Sequence, residues 1–197
     1  MKNGLNFGGW KMINLDNLGN HQSGRLWINE CPEIKSKIID TIQKTVEGVG
    51  AILKYKQSAV LELLLPRNAS NYALLGVTYI PLDSKKIDIK INVGITDDVV
   101  LKDNIAFTAD AVHIGIPEAY ALTIMDSAVD VLKELEFPSG ILLFDIGAHG
   151  YVGSSKMIFS RVTKMLVKII SKNILALSEE ELKKLVLLEL NMTSWGK

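Results

Sequence analysis

The chain has 197 residues, of which 48% are hydrophobic, and its 22 basic and 22 acidic side chains give a formal net charge of zero. A chain of this length can bury a substantial core, and balanced charge argues against a protein whose whole surface binds polyanions. The single cysteine, Cys31, excludes an intramolecular disulfide and a cysteine-rich metal site. A lone thiol suits a reducing compartment, and no apolar stretch reaches the roughly 20 residues that span a bilayer. We therefore expect a cytoplasmic protein with no membrane contact.

Residues 1–30 are rich in glycine and asparagine and carry Trp10 and Trp27 among polar residues. Neither a helical period nor a strand period is sustained in this segment. It is therefore predicted to pack as an N-terminal arm on a single domain formed by residues 31–197. The alternative is that its tryptophans stack on a ligand.

A helix is predicted between Pro32 and Gly48, because proline favours a first helical turn and glycine a helix end. Its apolar stripe has a spacing of four and consists of Ile34, Ile38, Ile42 and Val46, widened by Ile39. From Val49 to Ile116 the apolar period becomes two, which indicates strands. The clearest strand is residues 87–95, and the other predicted strands are residues 51–55, 59–65, 73–80 and 105–114.

Helical periodicity returns after Pro117 and continues to Leu135. A short buried strand is then predicted for residues 141–146 and a glycine-rich loop for residues 147–153. Ser154 or Ser155 is expected to cap the next helix, and Ser178 with Glu181 forms a capping box for the last one. Strands grouped before helices predict an α+β fold, in which helices pack on one face of a mixed, mostly antiparallel sheet.

Two helix entries carry a resemblance to a known family. Residues 115–120 read Gly-Ile-Pro-Glu-Ala-Tyr, and residues 154–159 read Ser-Ser-Lys-Met-Ile-Phe. With these entries, the stretch 106–170 resembles the fourth domain of elongation factor G and related translational GTPases. By order of elements the resemblance extends over residues 49–175, which leaves residues 176–197 as a C-terminal helix. It implies a βαβ unit and two tip loops that reach toward the decoding region of the ribosome.

The resemblance assigns the tip loops to particular residues. The loop at Gly147–Gly153 corresponds to one of them and carries His149 and Tyr151, although His149 stands one position before the family's histidine. The other lies between the strands that end near Leu65 and begin near Ala73. It contains Arg67 and Asn68 in place of the family's Gly-Gly-Arg-Gly-Gln-like segment. No Gly-x-x-x-x-Gly-Lys-(Ser/Thr) motif is present, which excludes GTP hydrolysis of the P-loop type.

Four lysines repeat at multiples of four along the helix predicted after the loop at Gly147–Gly153. Like charges at this spacing repel, so they do not stabilise the helix. One interpretation is a ridge that contacts RNA phosphates, and the other is a solvated face balanced by acidic neighbours such as residues 179–181. The ridge consists of Lys156, Lys164, Lys168 and Lys172.

Catalytic and metal-binding patterns are weak. Cys31, Asp145 and His149 supply the residue types of a triad, but Cys31-Pro32 lacks a thiol-hydrolase signature. His21, His113 and His149 do not have the paired spacing of a zinc site, so neither a metal nor a cofactor is predicted. The remaining residues considered for a role are assigned to the core, namely Met157, Phe159 and Met165.

The sequence thus predicts a non-enzymatic binding protein that contacts the ribosome or structured RNA through the tip loops and the lysine ridge. The alternative is a protein-interaction or structural module that forms a homodimer through the N-terminal arm or the C-terminal helix. An enzyme is the third alternative, because this scaffold hosts several activities.

Overall fold

The computed structural model describes residues 11–16, 18, 22–49, 53–66, 71–106 and 109–192. Within these residues it contains eight strands and three α-helices. The strands are β1 (Lys11–Asn14), β2 (Ser23–Ile28), β3 (Ile38–Glu47), β4 (Gln57–Leu64), β5 (Tyr72–Pro81), β6 (Lys86–Gly94), β7 (Val112–Ile114) and β8 (Gly140–Gly150). The helices are α1 (Glu118–Glu134), α2 (Lys156–Ile170) and α3 (Glu179–Met192).

All eight strands form one sheet in the order β1-β2-β4-β5-β8-β6-β3. Neighbouring strands are antiparallel except β6 and β8, which are parallel and are joined through α1 in a βαβ unit. The short strand β7 pairs with the last residues of β8. The predicted fold class, α+β with a mixed and mostly antiparallel sheet, is confirmed.

The main core lies between the helices and one face of the sheet. Strand residues such as Leu61, Leu75 and Ile89 pack there with Ile124 of α1 and Leu166 of α2, and all five are fully buried. The third helix packs against α2 and closes this layer. Its buried residues, which line one helical face, are Leu182, Val186 and Leu190.

A second, smaller core lies on the opposite face of the sheet, toward the end where β4 finishes and β5 begins. Val60 and Leu74 alternate along their strands with residues of the main core, so they point to the other side. Ile34 from the β2–β3 connection and Ala106 from the β6–β7 connection cover them. These two connections therefore pack against the second face of the sheet.

The predicted helix between Pro32 and Gly48 is wrong. Residues 38–47 form β3, which pairs antiparallel with β6. A spacing of four also keeps side chains on one face of a strand, because four is a multiple of two. Ile42 and Val46 accordingly pack on the main core from a strand rich in β-branched residues, which favour strands over helices.

Several other predicted boundaries are also corrected. Residues 53–55 are not part of a strand, and among the described residues of the predicted strand 105–114 only those of β7 are in a strand. Strand β8 continues to Gly150, so the predicted glycine-rich loop shrinks to the turn that begins at Tyr151. Met157 was assigned to the core but is 53% exposed, because it follows Lys156 on the outer side of the first turn of α2.

The described part of the predicted N-terminal arm belongs to the sheet. Residues 11–14 and 23–28 form β1 and β2, and β2 pairs along its length with β4. Trp27 is buried on this strand, with the guanidinium carbon of Arg25 at 5.2 Å from its ring centroid. Trp10 lies outside the described residues.

Candidate functional site

The described end of the β4–β5 connection lies beside the turn between β8 and α2. Ser154, in the β8–α2 turn, donates a hydrogen bond to the carbonyl oxygen of Tyr72 at the start of β5. Ser155 Oγ donates to Asn71 Oδ1 at 3.3 Å and caps α2 at the backbone N–H of Ile158. The β4–β5 connection and the β8–α2 turn are therefore neighbours. Arg67 and Asn68 lie outside the described residues.

His149 is not a loop residue. It lies in β8, is 3% exposed, and places both ring nitrogens on backbone carbonyls. Nδ1 is 3.2 Å from the oxygen of Gly115, and Nε2 is 3.0 Å from that of Thr96. Burial lowers the pKa of His149, while the two carbonyl contacts act in the opposite direction. Both ring nitrogens thus face backbone oxygens of the chain itself, and the single N–H of the neutral ring can donate to one of them.

Tyr151, in contrast, is 65% exposed and lies in the turn just after β8. Its backbone N–H donates to the oxygen of Ala111, and its ring centroid lies 5.6 Å from that of His113. The carboxylate of Asp110 accepts hydrogen bonds from the N–H groups of Val152 and Gly153, at 3.2 and 2.6 Å. The turn therefore presents Tyr151 from a backbone that is fixed by hydrogen bonds.

Other exposed apolar residues lie on the two segments that flank His113. Val99 and Val100 lie in the β6–β7 connection beside β7, where Val100 pairs with His113 and Val99 accepts from the N–H of Ile114. We call these residues the end patch: Val99, Val100, Tyr151 and Val152, which are 65%, 49%, 65% and 78% exposed. His113 connects the two halves of the patch.

The segment that carries Val99 and Val100 is rich in acidic residues. Residues 95–112 contain four aspartates against Lys102 as their only basic residue. Asp98 accepts from the backbone N–H groups of Lys37 and Val99, and these hydrogen bonds lower the pKa of its carboxyl group. A carboxylate-rich connection repels phosphate groups, so the patch is better suited to a protein surface than to a nucleic acid.

The lysine ridge is not a continuous cationic face. Lys168 Nζ lies 2.6 Å from Glu189 Oε1 of α3, and Ser160, between two of the lysines, accepts a hydrogen bond from Ser127 of α1 at 2.8 Å. Lys156 is exposed and Lys164 is half-buried, while Lys172 lies beyond the last residue of α2. Positions four apart on a helix are rotated by about 40° from one to the next. The row of lysines therefore turns from the side of α2 that contacts α1 to the side that contacts α3.

The Cys31, Asp145 and His149 side chains do not form a triad. Asp145 and His149 lie four residues apart on the extended strand β8, which separates them by roughly 13 Å. Cys31 Sγ instead lies 3.9 Å from Ser58 Oγ, and desolvation raises the pKa of its thiol. Among the described residues, no group of three or more histidine, cysteine, aspartate or glutamate side chains could hold a metal ion.

The second core contains a polar network that sequence reasoning missed. Glu62 Oε2 lies 2.6 Å from Arg25 Nε, and its Oε1 accepts from Tyr72 Oη at 2.7 Å and from the N–H of Ile105 at 3.1 Å. The glutamate is completely buried. The signal was a lone acidic residue inside the apolar run of residues 59–65, since a buried charge needs a partner.

In the part of the chain that the structure describes, no helix is long and apolar enough to cross a membrane. Comparisons of the chain with protein-family models, with curated proteins and with solved structures give no match.

Proposed function

We propose that the chain is a non-enzymatic binding protein that engages a protein surface through the end patch. The observation that carries this proposal is a set of four exposed apolar residues on the two segments that flank His113, with hydrogen-bonded backbone and with the Tyr151 ring against His113. Exposed apolar groups gathered in one place are typical of protein-binding surfaces, in which tyrosine is enriched. The neighbouring aspartates would select a partner with basic residues at its rim.

The ribosome is the first partner to test, because the resemblance to the fourth domain of elongation factor G assigns the same end of the domain to ribosome contact. The neighbouring positions of the β4–β5 connection and the β8–α2 turn support this choice. Contact with structured RNA is a second candidate, favoured by the exposed Lys156 at the start of α2. Salt separates the two, because phosphate contacts weaken steeply with ionic strength and apolar docking does not.

The experiment is co-sedimentation of the purified chain with ribosomes at low and at moderate salt. Tyr151→Ala with Val152→Ser removes the half of the end patch that lies in the turn after β8, and Lys156→Ala with Lys164→Ala tests the ridge. Tyr55→Ala is the matched control, because Tyr55 is also 65% exposed but precedes β4 at the opposite end of the sheet. We expect binding that persists at moderate salt, falls at least about tenfold in the end-patch variant and is unchanged in the control.

Two results would reject a protein surface of the ribosome as the target of the end patch. Binding that disappears with salt and with the lysine substitutions would assign the contact to RNA. The absence of binding at both salt concentrations would remove the ribosome as the partner.

A further inference from the structure

Strand β3 forms one edge of the sheet and is long and exposed. It pairs with β6 on one side, and no strand of the described chain lies on its other side. Eight of its ten residues are exposed, and the other two, Ile42 and Val46, are half-buried. A free edge of this length offers a row of backbone donors and acceptors to another strand.

The hydrogen bonds around β3 show which backbone groups face outward. Just past the strand, the N–H of Gly48 donates toward the β6 side, to the oxygen of Lys85 at 2.9 Å. The N–H of Thr41 instead donates to the carboxylate of Asp40 at 2.7 Å. Because backbone groups alternate along a strand, Thr41, Gln43 and Thr45 direct their N–H and C=O groups away from β6.

The sequence of β3 is complementary to itself in the antiparallel direction. In a pair centred on Ile42, residues equally distant from Ile42 lie opposite each other. Asp40 then lies opposite Lys44 of a second copy, and Thr41 lies opposite Gln43 of that copy. The two isoleucines at position 42 meet on the axis. Moving the centre to Thr41 or Gln43 leaves both charges without an opposite charge.

We propose that two copies of the chain associate through antiparallel pairing of their β3 strands about Ile42. The two sheets become one continuous sheet, with two Asp40–Lys44 ion pairs beside the central Ile42 pair on the face that carries the helices. The N–H of Thr41 exchanges the Asp40 carboxylate for Gln43 of the second copy, and the outward groups of Thr41 and Gln43 then form about four backbone hydrogen bonds across the seam. Ile38 and Ile39, 53% and 57% exposed, lie just outside the paired residues.

The irregularity of β3 sets the length of this pairing. Its register with β6 shifts between Ile38 and Asp40, where Ile39 has no partner. Regular pairing about Ile42 therefore spans residues 40–44 of each copy. This surface differs from the end patch, and the dimer does not depend on the proposed function.

The test uses charge reversal at two positions and sedimentation velocity of the full chain. We expect the natural chain to be a dimer at micromolar concentration. Asp40→Lys places lysines opposite each other, and Lys44→Asp places aspartates opposite each other. Either change is expected to weaken self-association at least about tenfold. A mixture of the two variants restores both ion pairs and should form a heterodimer.

Lys54→Asp is the matched control, because Lys54 is an exposed lysine outside β3. It should leave the dimer intact. The mixing step separates a repelled interface from a misfolded chain, since misfolded copies would not recover association when combined. A monomeric natural chain, a dimer that is unaffected by both reversals, or a mixture that stays monomeric would each overturn the proposal.

Discussion

Glu62 is a charged side chain that is completely buried beside the second core. Its carboxylate is completely buried and meets Arg25, Tyr72 and the backbone of Ile105. Burial, together with this carboxylate, raises the pKa of Tyr72 well above its ordinary value, so the phenol stays a neutral donor. Three partners offset the cost of removing the charge from water.

We predict that Glu62→Ala lowers the free energy of unfolding by about 3–5 kcal/mol, because Arg25 and Tyr72 lose their buried acceptor. Asp103→Ala is the control: its carboxylate also pairs with Arg25, at 2.9 Å, but is 88% exposed, so the loss should stay below about 1 kcal/mol. Urea unfolding of both variants measures the difference. Similar losses would contradict a structural role for the buried network.

His149 makes stability depend on pH. Its pKa is lowered in the folded chain, chiefly by burial, so protonation favours the unfolded state. The stabilising contribution is complete above the ordinary histidine pKa of about 6.5 and is lost as the pH falls through the lower folded value. The rings of His113 and Tyr120 lie 6.1 and 5.9 Å away, and Asp97 partly opposes the shift.

We therefore predict that the free energy of unfolding falls between pH 7.5 and pH 5.5 in the natural chain and falls less in His149→Gln. Urea titrations across this range measure both slopes. The carboxyl groups with lowered pKa values, Asp98 and Glu181, titrate at lower pH and do not contribute in this window. Parallel slopes in the two proteins would show that another group controls the dependence.

At the scale of elements, β8 packs closely against the turn before α1 because residue 147 is a glycine. A Cβ on Gly147 would lie 2.3 Å from Cγ1 of Ile116, inside any real contact distance. Gly147 also accepts a hydrogen bond from the N–H of Gly115 at 2.7 Å, so the strand cannot move away without breaking it. The turn before α1 and the end of β8 are thus fitted to each other.

We predict that Gly147→Ala costs roughly 1–3 kcal/mol through overpacking. Ile116→Ala removes the atoms that the new methyl group would meet and costs roughly 2–5 kcal/mol by itself. The double variant should lose less than the sum of the two single losses, because the clash is absent. Additive losses in urea unfolding would place the strain elsewhere.

At the scale of the whole molecule, α3 belongs to the same cooperative core as the sheet. Leu182, Val186 and Leu190 are buried, and Glu189 forms an ion pair with Lys168 of α2. Ser178 and Glu181 cap the helix reciprocally, with Ser178 N–H to Glu181 Oε2 at 2.7 Å. One apolar face of α3 is therefore covered by the chain's own core, while Leu188 is 48% exposed on the same helix.

We predict that Leu182→Ala lowers the stability of the whole domain by about 2–5 kcal/mol in a single transition. Leu188→Ala, on the same helix but 48% exposed, should change it by less than about 0.5 kcal/mol. Far- and near-ultraviolet circular dichroism during urea unfolding would report helices and buried aromatic rings separately. Two separated transitions would mean that α3 unfolds independently.

Some elements are encoded by local sequence signals, and others depend on their partners in the fold. The alternation over residues 87–95 predicted β6, and the capping box predicted the start of α3, because both signals are local. The stripe over residues 32–48 satisfied two periods at once, and only the pairing with β6 decides for a strand. In the candidate site, Tyr151 is exposed as a loop assignment expects, whereas His149 is buried by segments remote in the chain.

The sequence by itself determined the fold class, the positions of β4, β5, β6 and the three helices, and the absence of a P-loop, since these depend on residue type and short-range periodicity. Tertiary structure decided which polar groups are buried, which lysine of the ridge forms an ion pair and which apolar residues remain exposed. His149 and Lys168 illustrate this: their partners, Thr96 and Glu189, lie 53 and 21 residues away in the chain. Contacts over such distances form only when the sheet and helices are assembled, and no local pattern encodes them.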